Sequence, residues 1–269
     1  MHFTQLQVER EARGVVTVVL NRADLHNAFS EILIAELTAC FSQLGHDPSC
    51  RVIILRAEGK SFSAGADLNW MRRAAAQSET QNQAEAMNLA NMLHSIAACP
   101  KPTIARVQGN AFAGGIGLVS ACDMAIAVEA ANFCLSEVKL GIIPATISPY
   151  VIEAIGPRQA RRYFLTAEKF SAAEALRIGL IHAVCADEHA MDASMTALLT
   201  HLLNNGPQAI AASKELIAHV SHAANTPALR TETARRIAQV RATPEGREGV
   251  SAFLEKRSPS WVHRLEEKQ

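Results

Sequence analysis

Short β-branched runs alternate with stretches of helical periodicity over the first two thirds of the chain. Residues 15–21, 51–56 and 103–107 have the composition of strands, and each run precedes a segment whose apolar residues recur at helical spacing. A strand that returns to a parallel neighbour through a helix makes a right-handed crossover. This order of strands and helices along the chain therefore predicts an α/β fold built from repeated strand–strand–helix units.

Beyond residue 149 the pattern becomes almost entirely helical. Proline, which favours the first turn of a helix, stands at the predicted starts Pro207, Pro227 and Pro244. Earlier in the chain, residues 69–99 read as one long helix that ends at Pro100. We predict two regions, an α/β core over residues 1–195 and a helical region over residues 196–269.

The charge balance argues against several classes of partner. Lys and Arg together number 26, as do Asp and Glu, so the formal net charge is zero. Proteins that bind nucleic acid or membrane surfaces usually carry a basic excess, so neither partner is expected. No run of about 18 apolar residues predicts a membrane span.

The cysteines and the N-terminus bear on the compartment. None of the six cysteines forms a C-x-x-C pair or a Cys/His set at zinc spacing, so no metal site is expected and free thiols are the simplest interpretation. The first 14 residues lack the apolar centre of a signal peptide. We expect a reducing compartment, the cytoplasm of a bacterium.

Two glycine turns follow strand-like runs. Residues 114–117 read Gly-Gly-Ile-Gly after one run, and residues 62–67 read Phe-Ser-Ala-Gly-Ala-Asp after another. Such turns can aim two backbone N–H groups at one carbonyl oxygen, as in an oxyanion hole. Tight packing is an equally good interpretation of the first turn, and a helix N-cap is the better one for the Asp67 side chain. A dinucleotide fingerprint does not fit, because Ser120 stands where it requires glycine.

Glu137 lies in a third glycine-punctuated segment, between Leu135 and Val138 and shortly before Gly141. Most glutamates are solvated, but apolar neighbours favour partial burial. Burial raises the pKa of a carboxyl group and makes it a better general acid. Glu137 is therefore the candidate for proton transfer.

Eight segments between about residue 15 and residue 256 carry a family pattern when they are taken in order: Asn21-Arg22, His26-Asn27-Ala28, residues 62–68, residues 109–115, Ala121-Cys122-Asp123, residues 137–144, residues 170–181 and residues 252–257. Together they resemble the crotonase, or enoyl-CoA hydratase/isomerase, superfamily. Each segment alone is weak evidence for the family, and all of them in this order are strong evidence.

The resemblance implies a crotonase-like spiral of ββα units with a C-terminal helical trimerisation region. It implies homotrimers, or hexamers made of two trimers, and an acyl-CoA thioester substrate with no separate cofactor. It also implies that the N–H groups of Ala66 and Gly114 hold the thioester oxygen, and that Glu137 exchanges a proton at the α-carbon. The implied substrate- and CoA-binding residues are Asn27, Ala28, Ala64, Gly65, Asp67, Leu68, Gly115, Gly117 and, toward a neighbouring subunit, Phe253 and Lys256.

One departure from the family pattern concerns the second glutamate of the hydratases, which aligns with Gly117. Because glycine has no acid–base group, an isomerase that uses Glu137 as its sole base is an alternative to a hydratase. A non-catalytic or RNA-binding relative is a third interpretation, which the zero net charge and the intact glutamate oppose.

A closer resemblance favours the hydratase. Residues 133–141, 147–151 and 158–163 are similar to bacterial methylglutaconyl-CoA and isohexenylglutaconyl-CoA hydratases. Their substrates carry a second carboxylate. Lys139 is our first candidate to hold this carboxylate, and Arg72 or Arg73 is the second. For Lys139, a side chain that points outward to solvent is slightly favoured over one that binds the substrate.

Overall fold

The structure is a computed structural model that describes residues 3–262. Its strands are β1 (Leu6–Arg10), β2 (Val15–Leu20), β3 (Val52–Ala57), β4 (Ser61–Ser63), β5 (Thr103–Val107), β6 (Asn110–Phe112), β7 (Met124–Val128), β8 (Asn132–Cys134), β9 (Phe170–Ser171) and β10 (Ala183–Cys185). Its α-helices are α1 (Glu31–His46), α2 (Leu68–Ala75), α3 (Glu79–Ala97), α4 (Gly114–Ala121), α5 (Ser148–Thr166), α6 (Ala172–Arg177), α7 (Glu188–Asn204), α8 (Pro207–Val220), α9 (Pro227–Ala242) and α10 (Pro244–Leu254).

A six-stranded sheet forms the centre of the molecule, in the order β1-β2-β3-β5-β7-β10. The β1–β2 hairpin is antiparallel, and every later pair is parallel. All residues of β2 are buried, as expected of a parallel strand that is covered on both faces. The predicted parallel α/β arrangement is confirmed.

A second, four-stranded sheet has the order β4-β6-β8-β9. Its strands β4, β6 and β8 run parallel to one another, and β9 is antiparallel to β8. Each parallel strand follows closely on a strand of the large sheet and precedes a helical segment. The repeated strand–strand–helix unit is thus confirmed, and the carboxyl ends of three short strands share one edge.

The prediction of one helix over residues 69–99 is wrong. The structure has α2 and α3 in its place, because the Ser78 side chain accepts a hydrogen bond from the Gln81 N–H and starts a new helix with a capping box. Trp70 of α2 is buried and donates to Oε2 of Glu85 on α3 at 2.7 Å. The two helices are therefore tied together side to side.

The predicted boundary between residues 195 and 196 falls inside α7. This helix buries Met191, Met195 and Leu203, and it packs on β3, β7 and β10. Helices α8 and α9 bury no residue of their own in the single chain. The structure therefore places the whole of α7 with the sheet, and the division at residue 195 stays a prediction about domain organisation.

Candidate active site

The three predicted catalytic positions lie at one edge of the small sheet. Ser63 of β4 pairs with Ala111 of β6, and Phe112 of β6 pairs with Cys134 of β8. Ala66, Gly114 and Glu137 each follow one of these strand ends within a few residues. The register alone therefore brings them together at the carboxyl ends of parallel strands, where α/β proteins usually bind ligands.

The N–H groups of Ala66 and Gly114 have no acceptor among the residues that the structure describes. Phe29 pairs with the two neighbours of Ala66: its N–H donates to the Gly65 carbonyl at 2.6 Å, and its carbonyl accepts from the Asp67 N–H at 2.9 Å. These bonds hold the backbone of residues 65–67 in place and do not use the Ala66 N–H. Gly114 is the first residue of α4, where N–H groups lack intrahelical partners and the helix dipole is positive. Both groups can donate to an anionic oxygen.

Close contact between the two glycine turns positions these donors. Gly65 has φ +88°, and a methyl group added to it would lie 2.9 Å from Cβ of Ala113 and 3.4 Å from N of Gly114. A methyl group on Gly115 would lie 2.5 Å from the Ser63 carbonyl oxygen. Ala113 has φ 48°, a sparsely populated conformation for alanine that is found mainly at functional sites. The turns pack backbone against backbone, as two donors to one oxygen require.

Glu137 begins the 3₁₀ turn Glu137–Leu140, directly after β8. It is only 9% exposed, and its Oε2 atom has no hydrogen-bond partner among the described residues. Burial raises its pKa above the ordinary value, and its backbone hydrogen bond opposes this in part. An unpartnered buried carboxyl group beside two free donors is suited to proton transfer at a carbon next to a carbonyl.

Comparison with known proteins identifies the family. The enoyl-CoA hydratase/isomerase family model matches residues 10–264. An enoyl-CoA hydratase structure from Shewanella pealeana is 45% identical, with a TM-score of 0.93 and 96% of each chain covered. An enoyl-CoA hydratase/isomerase structure from Marinobacter aquaeolei is 33% identical, with a TM-score of 0.91, and covers 96% of this chain and 99% of that chain. Enoyl-CoA hydratase ACTT6 of Alternaria alternata is 36% identical over 244 residues, 89% of this chain and 78% of that protein.

The chain belongs to the enoyl-CoA hydratase/isomerase family. The crotonase-type α/β fold with C-terminal helices and the prediction of an enzyme of this class are confirmed. The roles of individual site residues stay predictions.

In this hydratase/isomerase family member, Gly117 lies in the first turns of α4 and is buried. A methyl group at this position would lie 2.4 Å from Cγ2 of Ile147 and 3.5 Å from Cδ2 of Leu93. The missing side chain therefore leaves no hole, because Ile147 packs directly on the helix backbone. The sequence gives no sign of this contact between residues 30 positions apart.

Asn27 and Asp67 stand at predicted CoA-binding positions, and both side chains are engaged within the protein. The buried Asn27 amide accepts from the Arg22 N–H at 2.9 Å and donates to the carbonyls of Glu58 and Ser61 at 2.8 and 2.9 Å. Asp67 caps α2, as predicted, and forms an ion pair with Arg22 at 2.9 Å. These side chains shape the loops, so a contact with CoA at either position would come from the backbone.

The remaining predicted contact residues differ in exposure. Ala64 and Leu68 are exposed on either side of the buried Gly65, whereas Ala28 is buried. Phe253, which is 81% exposed, and Lys256 lie at the end of α10. Their predicted contact with CoA in a neighbouring subunit stays a prediction.

The candidate cations differ in their surroundings. Arg73 forms an ion pair with Glu31, and Arg72 donates to Oδ1 of Asn69 at 2.7 Å. Lys139 is exposed and has no ion-pair partner among residues 3–262. Of the three, Arg73 is the one whose charge is already paired, and the charges of Lys139 and Arg72 are available to a ligand.

The structure holds no candidate metal centre within the described residues, since no three His, Cys, Asp or Glu side chains cluster there. Within the same residues, no helix combines the length and apolar character of a membrane span.

The buried carboxyl group makes stability depend on pH. Burial raises the pKa of Glu137 in the folded state above its ordinary value of 4.5. The folded state therefore loses stability as pH rises through this raised pKa, and no stability is lost at pH values below the pKa of Glu137 in the unfolded chain. We expect Glu137→Gln to raise Tm by about 2–4 °C at about pH 8 and to have little effect at about pH 4. Thermal unfolding at the two pH values measures this difference. An equal shift at both would contradict the burial of an ionisable Glu137.

Proposed function

We propose that this protein is an enoyl-CoA hydratase, which adds water reversibly across the α,β double bond of an acyl-CoA thioester. The observation that carries the proposal is the placement, at one edge of the small sheet, of a buried carboxyl group and two backbone N–H groups that have no hydrogen-bond partner within residues 3–262. The thioester oxygen accepts from Ala66 and Gly114, so negative charge that develops on it during addition is stabilised. One such donor is typically worth about 3–4 kcal/mol in the transition state.

A single carboxylate can serve both proton transfers. Ionised Glu137 takes a proton from water as the water oxygen bonds to the β-carbon and the π electrons move onto the thioester. Glu137 then gives this proton to the α-carbon as the enolate collapses to the thioester. The atoms balance, because one water is added and the carboxylate is restored. The apolar packing of Ile147 on Gly117 is consistent with the absence of a second acid on that wall.

The preferred substrate in this proposal is a branched dicarboxylic enoyl-CoA of the 3-methylglutaconyl type. Its support is the resemblance of residues 133–141, 147–151 and 158–163 to methylglutaconyl-CoA and isohexenylglutaconyl-CoA hydratases, together with the exposed charge of Lys139, which has no ion-pair partner within residues 3–262. The 3₁₀ turn has about three residues per revolution, so Lys139 leaves it on a different side from Glu137 and would reach the ligand with its long stem. Arg73 is less suitable because Glu31 already neutralises it.

We expect Lys139→Ala to raise KM for 3-methylglutaconyl-CoA about threefold, the scale of an exposed ion pair. KM for crotonyl-CoA, which has no second carboxylate, should stay the same. Steady-state kinetics with both substrates measure the difference, and Arg72→Ala tests the second candidate cation in the same assay. An unchanged KM for the dicarboxylic substrate would exclude Lys139 from this role.

The double-bond isomerase is the second candidate, and the absence of an acid at Gly117 favours it. A shift of the double bond between carbons needs one base and no water, so Glu137 would suffice. An RNA-binding role has less support, because the net charge is zero.

Product identification separates these functions. The protein is incubated with 3-methylglutaconyl-CoA and, separately, with 3-hexenoyl-CoA, and the products are separated by chromatography against standards of both double-bond isomers and analysed by mass spectrometry. The hydratase proposal expects the mass of one water to be added to the first substrate. If neither substrate changed in mass and 3-hexenoyl-CoA were converted to its conjugated isomer, the protein would be an isomerase.

The assembly and compartment belong to the same proposal. We propose trimers, or hexamers of two trimers, built through the C-terminal helices. These helices expose large apolar side chains in the single chain, among them Ile217, Ile237, Val250 and Leu254. All six cysteines are free and buried, which is consistent with a bacterial cytoplasm.

A further inference from the structure

The loop of residues 22–29 holds the glycine turn that carries the Ala66 N–H group. The Ala64 N–H donates to the His26 carbonyl at 2.9 Å, and the backbone of Phe29 bonds to the residues on both sides of Ala66. None of these bonds uses the Ala66 N–H itself. The loop therefore determines where this donor lies and leaves it free for a ligand.

The same loop also contacts the second donor. Phe29 is buried, and a methyl group added to Gly114 would lie 2.5 Å from Cε2 of the Phe29 ring. The ring thus packs directly on the backbone at the first residue of α4. Because Phe29 bonds to the neighbours of Ala66 through its backbone and touches Gly114 through its ring, it fixes the separation of the two N–H groups.

Arg22 joins the two sides of the Phe29–Ala66 pair. One guanidinium nitrogen, Nη1, donates to the carbonyl of Ala28, the residue before Phe29. The other, Nη2, donates to a carboxylate oxygen of Asp67, the residue after Ala66, at 2.9 Å. The side chains of Arg22 and Asp67 are only 12% and 10% exposed, so solvent and salt screen this ion pair little.

The chemistry of the two partners suits this link. Oδ2 of Asp67 accepts from Arg22, and Oδ1 accepts from the Asn69 N–H at 2.8 Å at the start of α2. Burial alone would raise the pKa of Asp67, but these hydrogen bonds more than offset burial, so the pKa lies below its ordinary value and the group stays ionised. A planar guanidinium presents two nitrogens at a fixed spacing to two acceptors, whereas lysine presents only one nitrogen.

We propose that Arg22 is a positioning residue, which holds the two oxyanion donors at the separation that one oxygen requires. It acts through Phe29 and Asp67 rather than by contact with the substrate. This inference rests on the proposed function, in which Ala66 and Gly114 stabilise the thioester enolate. Without Arg22 the loop and the glycine turn can move apart, and the two N–H groups no longer converge on the oxygen.

The kinetic test compares catalysis with binding. Arg22→Met removes both hydrogen bonds and keeps an apolar stem, and we expect it to lower kcat about 100-fold, the scale of a displacement of about 1 Å. Affinity for butanoyl-CoA, measured by calorimetry, should fall much less, because a ground-state carbonyl carries less negative charge than the enolate oxygen. Arg22→Lys keeps the charge and one hydrogen bond, so its kcat should lie between those of the wild-type protein and Arg22→Met. The lysine variant decides the matter if the methionine variant does not fold.

Infrared spectroscopy reports on the two donors without turnover. Butanoyl-CoA labelled with ¹³C at its thioester carbonyl is bound to each protein, and subtraction of the unlabelled complex isolates the carbonyl band. Hydrogen bonds to the oxygen weaken the C=O bond, so the band of the wild-type complex should lie at a lower wavenumber than that of free butanoyl-CoA. In Arg22→Met it should return toward the position of the free ligand, and in Arg22→Lys it should return part of the way.

Arg106→Met is the matched control for the loss of a largely buried arginine. The Arg106 side chain is 13% exposed, close to the 12% of Arg22, but its ion pairs join β5 to Glu188 and Asp192 of α7 at 3.0 and 2.7 Å. Arg106→Met should lower Tm, as Arg22→Met does, and leave kcat and the carbonyl band at their wild-type values.

A wild-type kcat and carbonyl band in both Arg22 variants would overturn the inference, as would equal changes in Arg106→Met. A fall in kcat with an unmoved carbonyl band would also overturn it, because Arg22 would then act on something other than the two donors. If the wild-type complex itself showed the band of free butanoyl-CoA, the proposed role of Ala66 and Gly114 would fail, and this inference with it.

Discussion

Replacement of Glu137 by glutamine is expected to lower kcat for hydration roughly 10³- to 10⁴-fold, at the upper end of what a general acid–base group contributes. The loss is large because this one carboxylate performs both proton transfers in the proposed reaction. Glutamine has nearly the same shape and can occupy the same pocket, but it cannot take up a proton. Stopped-flow or steady-state measurement of the hydrated product gives the rate.

The matched control is Glu129→Gln, which changes an exposed glutamate just beyond β7. We expect its kcat to stay within about twofold of the wild-type value, because isolated surface substitutions have small effects. Affinity for a saturated acyl-CoA should be similar in both variants and the wild-type protein. If Glu137→Gln kept more than about a tenth of the activity, another group would have to supply the proton, because removal of a sole acid–base residue costs far more activity than that.

Much of the large sheet and the helical region could be predicted from local patterns. Strand β5 follows its β-branched run, and α8 and α9 begin at Pro207 and Pro227 as predicted. The N-cap Asp67 is also confirmed. These features depend on neighbours within one helical turn or one strand, so the sequence displays them directly.

The small sheet was harder to predict, although it positions the site. Strands β4 and β6 have three residues each and β9 has two, too few for alternation of apolar and polar residues to show. What stabilises them is pairing with one another across long sequence separations. The glycine turns and Glu137 could be selected as candidates, but their convergence follows only from the register of these strands.

Contacts between distant segments explain what the sequence did not reveal about the site. Arg22 neutralises Asp67 across 45 positions, and Ile147 fills the space beside Gly117. Neither contact has a periodic signature. The resemblance to a family marked Gly117 as a missing acid, whereas the structure shows it as a close packing point.

Gly65→Ala is expected to lower kcat/KM about 100-fold while the protein stays folded, since displacing a catalytic group by about 1 Å can cost that much. The new methyl group would lie 2.9 Å from Cβ of Ala113 and 3.4 Å from N of Gly114. Relief of this contact pushes the Ala66 and Gly114 turns apart. The two N–H groups then no longer converge on one oxygen, and stabilisation of the enolate weakens.

Gly59→Ala is a closely matched control, because it reproduces the strain away from the catalytic edge. Gly59 has φ +81° against +88° for Gly65, and its added methyl group would also lie 2.9 Å from an alanine Cβ, that of Ala23. Both variants should lose about 1–3 kcal/mol of unfolding free energy from the left-handed backbone. Only Gly65→Ala should lose catalysis, measured as kcat/KM for hydration beside Tm. Equal losses of kcat/KM in the two variants would mean that general strain, rather than separation of the two donors, limits the reaction.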